Sequence, residues 1–135
     1  MRSRIVIDIN VYLSHLMRPT SIPSRVLLRA WRHHQPLVSE ETLAELESTL
    51  RKPKFAKYFR LADVDSFLIE VKDISQNVAV QNSLAVCRHP KDNKFFELAV
   101  DGQADLILSG DQDLIVLSPF RGIPVVTPMQ YLAED

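Results

Sequence analysis

Two short apolar runs that each end in acids, with helical patterns between them, constrain this chain most. "RIVI" at 4–7 leads straight into Asp8, and "ADLILS" at 104–109 leads into "GDQD". Runs this short, rich in β-branched and leucine side chains and lacking polar alternation, have the composition of strands buried on both faces. A helix is expected over 11–17, closed by Pro19, and a second begins at Ser21, with Pro23 in its first turn. Val26, Leu27, Ala30 and Trp31 share one face of that second helix. A strand is expected at 36–39. Ser39 then caps a helix with the stripe Leu43, Leu46 and Leu50, with Thr42 at the capping-box position and Pro53 as its stop. Residues 54–59 read as one further turn, and Asp63 is expected to cap a helix carrying Val64, Phe67, Leu68 and Val71. Strands are expected at 77–80 and 123–128, a loop in "CRHPKDN", and a helix over 94–100 ended by Gly102. Alternating strands and helices imply right-handed crossovers. The expected fold is therefore α/β: one three-layer domain over residues 1–135, a parallel sheet with helices on both faces. In such sheets ligands bind beyond the carboxyl ends of the strands.

Charge and cysteine content narrow the function. The net charge is -1, so a polyanion partner would need a local basic patch. The single cysteine, Cys87, excludes an internal disulfide and a cysteine-rich zinc site. The basic, apolar start is interrupted by Asp8, Asn10 and His15 with no small-residue cleavage site after it, and no run reaches the ~18 apolar residues of a membrane span. A cytoplasmic location with no membrane partner is expected.

The acids fall just past the strands. The first strand delivers Asp8, and the 104–109 run delivers Ser109, Asp111 and Asp113. Asp92 starts the helix after the proline loop, and Glu45 lies in the second turn of the helix begun at Ser39. Each has a plain structural reading. Asp8 and Asp92 can cap helices, Asp111 and Asp113 can form a turn after Gly110, and Glu45 can be solvated like Glu40, Glu41 and Glu47. If they converge, two carboxylates about 4 Å apart repel by roughly 4 kcal/mol at an effective dielectric near 20. Several together need a cation, and oxygen ligands of that number suit Mg²⁺ or Mn²⁺.

The blocks "VIDINVYLS", "SEETLAELESTLRKPKF", "HPKDNKFFELAV" and "ADLILSGDQDLIVL" resemble the PIN-domain ribonucleases and, within them, the toxin branch of prokaryotic toxin–antitoxin pairs. The resemblance covers nearly the whole chain, with the blocks in the family's order. It implies a 3-2-1-4-5 parallel sheet, metal-dependent cleavage of RNA, and an antitoxin whose peptide blocks the acidic cleft. It matches the family's four acids to Asp8, Glu45 (with Glu41 as the alternative register), Asp92 and Asp111, of which Asp8, Asp92 and Asp111 would hold Mg²⁺ or Mn²⁺. Asp113 is a fifth acid, and Asn10 and Ser109 match small polar positions that support the site. One departure stands out: His89 occupies the first position of a loop that commonly reads Asp-Pro-x-Asp.

Substrate contacts are expected from Arg51, Lys52, Lys54, Lys57 and Arg60, interleaved with Phe55, Tyr58 and Phe59, and from Lys91 and Lys94 beside Asp92. Such a patch suits a phosphate backbone and stacked bases; its plain alternative is a solvated helix end with the aromatics in the core. The helices around Trp31 and Phe67 serve the core, a homodimer face or an antitoxin groove. Two rival functions remain. One is a PIN-like module that binds RNA or protein without cutting. The other is a haloacid dehalogenase-type phosphatase, disfavoured because position 10 is Asn where that chemistry needs a second aspartate.

Overall fold

The computed structural model describes residues 2–133; Met1, Glu134 and Asp135, which the expected span of 1–135 includes, lie outside the described residues. Five strands, β1 (Ser3–Ile7), β2 (His34–Val38), β3 (Gln76–Asn77), β4 (Leu106–Leu108) and β5 (Val125–Val126), pair in parallel in the order β3-β2-β1-β4-β5. This is the α/β architecture and strand order that the resemblance implied. Between the strands run α1 (Ile9–Met17), α2 (Ile22–His33), α3 (Glu40–Leu50), α4 (Leu61–Ile74), α5 (Asn93–Asp101) and α6 (Gln112–Ile115), and α7 (Pro128–Ala133) follows β5. No described helix is long and apolar enough to cross a membrane.

β1 is central because both of its edges are paired, and Ile5, Val6 and Ile7 are all at most 4% exposed. The chain moves outward from β1 through β2 to β3, then returns to the other side of β1 for β4 and β5. With right-handed crossovers, that reversal sends helices to opposite faces of the sheet. It also makes the gap between the ends of β1 and β4 the switch point at which α/β sheets bind ligands.

Several boundaries differ from the sequence expectation, each for a local reason. α1 begins at Ile9, two residues early, because the Val11 N–H already bonds the Asp8 carbonyl at 3.1 Å. β2 begins at His34, because Ser3 pairs with it. Ser39 caps α3 with the capping box completed by Thr42, as the spacing predicted. Asp63 is not the N-cap of α4: the helix starts at Leu61, and the Asp63 carboxylate reaches back to accept the Arg60 N–H at 2.9 Å. The expected strand at 77–80 is reduced to Gln76–Asn77. Beyond it, α5 supplies side-chain acceptors in place of a neighbouring strand. Asp101 accepts the backbone N–H groups of Gln81 and Asn82, Glu97 that of Leu84, and Asn93 those of Val86 and Cys87. Gly102 ends α5 at φ -84, so no left-handed turn requires it. A Cβ there would stand 2.7 Å from Leu37 Cδ1 and 2.8 Å from the Leu98 carbonyl oxygen, so close packing requires it.

Candidate functional site

The ladder between β1 and β4 sets the first acid. Ile7 pairs with Leu108, and the Asp8 N–H still bonds the Leu108 carbonyl at 3.0 Å. Asp8 is thus the last residue held by the sheet, facing Ser109 across the register. Asp8 occupies the N-cap position of α1, yet its side chain makes no capping bond. Instead Asp8 Oδ2 accepts a hydrogen bond from the fully buried Ser109 hydroxyl at 2.7 Å. The same hydroxyl accepts the Asp111 N–H at 3.0 Å, so one serine spans the first and last acids. Asp111 does cap: its Oδ1 accepts the Asp113 N–H at 2.9 Å at the start of α6, a helix the sequence patterning missed.

Asp92 closes a short 3-10 turn, Pro90–Asp92, and precedes α5 without capping it by its side chain. Its neighbour Asn93, buried, fixes the approach of the loop through the Val86 and Cys87 N–H groups at 3.1 and 2.9 Å. Glu45 comes from the second turn of α3, and its Oε1 lies 2.5 Å from Lys94 Nζ. Glu41 is exposed and does not line the cleft, so of the two registers only Glu45 reaches it.

Asp8, Glu45, Asp92 and Asp111, from four chain-distant segments, line one cleft of about 550 Å³. Asn10, Asp113 and His89 share its wall, with Ser48 and Thr49 one turn beyond Glu45. Lys52, Lys54, Phe55 and Lys91 border it as well. Of the other basic residues singled out above, Arg51 pairs with Glu47 at 3.0 Å and Asp65 at 2.6 Å, and it does not line the cleft. Lys94 is committed to Glu45. Lys57 sits over the Tyr58 ring, Arg60 pairs with Asp63, and Phe59 is buried, so the basic track at the cleft reduces to Lys52, Lys54 and Lys91. The Ser48–Thr49 wall follows from α3 geometry, three and four residues past Glu45. The Lys94–Glu45 pair had no local signal, because α3 and α5 are 49 residues apart at that contact.

The electrostatics of the cleft are unfavourable to its own charges. Burial pushes the Asp8 carboxyl up to about 6; the Ser109 hydroxyl and the Ile9 N–H oppose the rise, and the charges of Asp111 and Asp92 add to it. Burial, then Asp111 and Glu45, raises Asp92 as well. The Cys87 thiol, nearby, is pushed up to about 11 by burial and then by Asp92, Asp111, Asp113 and Glu97. His89 lies with Nε2 3.2 Å from Asp113 Oδ2, and its positive charge when protonated lowers Asp92.

Such a donor set fits a hard divalent cation. It is all oxygen, and two of its carboxyls are held where ionisation is disfavoured without a compensating charge. Among the described residues no three Asp, Glu, His or Cys side chains already form a ligand cage. Mg²⁺ and Mn²⁺ take much of their shell from water and substrate phosphate, so one or two protein carboxylates suffice.

The sequence model of the family described as "PIN domain" matches residues 4–113. The chain is 30% identical over 144 residues to the uncharacterized protein MJ1680 of Methanocaldococcus jannaschii, across 99% of this chain and 92% of that one. Its fold is similar to a chain in the crystal structure of VapBC2 from Rickettsia felis bound to a DNA fragment from their promoter. That match has a TM-score of 0.63 and 11% identity, and covers 92% of this chain and 98% of that chain.

Proposed function

Because this chain belongs to the PIN domain family, we propose that it is an endoribonuclease that hydrolyses RNA phosphodiester bonds with Mg²⁺ or Mn²⁺, and that it is the cytoplasmic toxin of a pair whose antitoxin covers the cleft. The observation that carries the nuclease reading is Asp8. It is buried at the switch point of the sheet, forgoes the helix it precedes, and shares a cleft with Asp92 and Asp111. The fold likeness to a VapBC2 chain supports the toxin half of the proposal.

Asp8, Asp92 and Asp111 would hold the cation, which when bound lowers the pKa of water and neutralises charge on the phosphate. Ser109 keeps Asp8 Oδ2 in place, and the Asp113 N–H occupies Asp111 Oδ1, leaving one oxygen of each carboxylate to face the cleft. Glu45, fixed in position by Lys94, orients the attacking water and takes its proton. Lys52, Lys54 and Lys91 draw the phosphate backbone to the rim.

A second reading, an RNA-binding scaffold that does not cut, is favoured by the Glu45–Lys94 pair, in which an internal cation already answers one of the four acids. Incubation with single-stranded RNA separates the two. Cleavage is expected with Mn²⁺ or Mg²⁺, with none in EDTA, and Asp8→Asn should lower the rate by at least ~10²-fold. Binding without cleavage under all metal conditions would establish the scaffold instead.

A further inference from the structure

The charge of the chain is unevenly placed. The first 35 residues hold six arginines and one acid, the buried Asp8; the other hundred hold ten bases and sixteen acids. α2 concentrates the excess: Arg25, Arg29 and Arg32 follow one another at four and three residues, and the helix has no acid at all. That spacing puts all three on one face, where like charges repel. α3, by contrast, carries acids in its first turn and ties Glu47 to Arg51. Arg25 and Arg32 are exposed, so their charges are presented to solvent.

The stripe lies on the helix whose start borders a hollow opening from the candidate site. Arg25, Leu28, Arg29 and Arg32 form a groove of about 270 Å³ with Leu132 of α7. A second hollow, of about 600 Å³, runs from Asn10 and Asp111, which also line the acidic cleft, to Pro23 and Pro128 at the starts of α2 and α7. Its floor at Gly110 is open, with no atom within 4 Å of where a Cβ would be. The second hollow thus opens from the cleft to the start of α2, where Arg25 follows two residues after Pro23 and Arg29 and Arg32 lie each about one helical turn, ~5 Å, further along.

We propose that the α2–α7 groove is a binding site for the phosphate backbone of the RNA strand flanking the scissile bond. This rests on the nuclease reading above. Guanidinium groups in a row match phosphates bidentately and need no base contact, so the site adds affinity and directs the strand without reading sequence. RNA long enough to leave the cleft engages it; a fragment filling the cleft alone does not.

Binding in EDTA, where nothing is cut, tests this with the double variant Arg25→Gln/Arg32→Gln. Both side chains are exposed and outside the cleft, so the melting temperature should stay that of the wild type. For single-stranded RNA of about 16 nucleotides, affinity at low salt should fall roughly tenfold. The slope of log affinity against log salt should shrink by about 1.4, two phosphates at ~0.7 each. For RNA of about 4 nucleotides, affinity should not change. A control variant removing two charges elsewhere, Lys72→Gln/Arg121→Gln, should leave the slope nearly intact. Equal affinity and slope for wild type and the α2 variant overturn the proposal and leave the stripe to an acidic protein partner; cleavage by both proteins would then show that the nuclease reading survives. A wild type that neither binds nor cuts RNA overturns both.

Discussion

Asp8 takes a hydrogen bond from Ser109, across the sheet, and its side chain makes no capping bond to α1 beside it. Its stability consequence has a definite sign. The carboxyl is raised from its ordinary value to about 6, so between roughly pH 4 and pH 6 the folded chain holds a proton that the unfolded chain has lost. Metal-free stability therefore falls as pH rises through that window, and the deficit is complete above about pH 6. Two pKa units correspond to at most ~3 kcal/mol. Asp8→Asn should remove this slope. In EDTA, the variant and the wild type should have similar urea midpoints near pH 4, with the variant ahead by ~1–3 kcal/mol at pH 7. A constant offset at every pH would show that Asp8 is not the titrating group. Asp8 was legible in the sequence as an acid ending an apolar strand. The choice between cap and ligand was not, since it depends on Ser109, 101 residues away.

At the scale of elements, α5 does two jobs with one stripe. Asn93, Glu97 and Asp101, spaced four residues apart, hold the irregular segment from Gln81 to Cys87 by its backbone N–H groups. The strand expected at 77–80 stops early for that reason: the Val78 N–H still bonds the Val38 carbonyl at 2.8 Å, but from Gln81 on side chains answer these donors, which need no neighbouring strand. The helix itself was legible from its apolar spacing and Gly102; its polar stripe was not, because it looks like any solvated face. Asn93 matters most for the site, since it anchors the two residues just before the loop bearing His89 and Asp92. Asn93→Ala should cost ~1–3 kcal/mol by leaving two N–H groups unanswered. It should also lower RNA cleavage while leaving Asp8 and Asp111 in place. Calorimetry and a cleavage assay on the same preparation check this; a stability loss with unchanged cleavage would mean that the loop holds its shape without the asparagine.

For the whole molecule, the cleft is a point where folding tolerates repulsion among Asp8, Asp92 and Asp111. Saturating Mn²⁺ should therefore raise the melting temperature, by mass action on the folded state alone. At about 100 times the dissociation constant the gain is ~2.7 kcal/mol, and Asp111→Asn should show a clearly smaller rise in a thermal scan. Equal rises in both would place the ion elsewhere. Strand order was legible only through the resemblance, because local patterning names strands without saying which are neighbours. The two edge strands are two residues each, shorter than the runs expected at 77–80 and 123–128, because pairing stops where their neighbours do. That same order delays the assembly of the cleft. β1 leaves the ribosome about a hundred residues before its partner β4, and Asp111 comes later still. A nascent chain therefore carries Asp8 through all of that stretch with nothing opposite it, and whatever chemistry the finished cleft performs stays latent until β4 and Asp111 have followed.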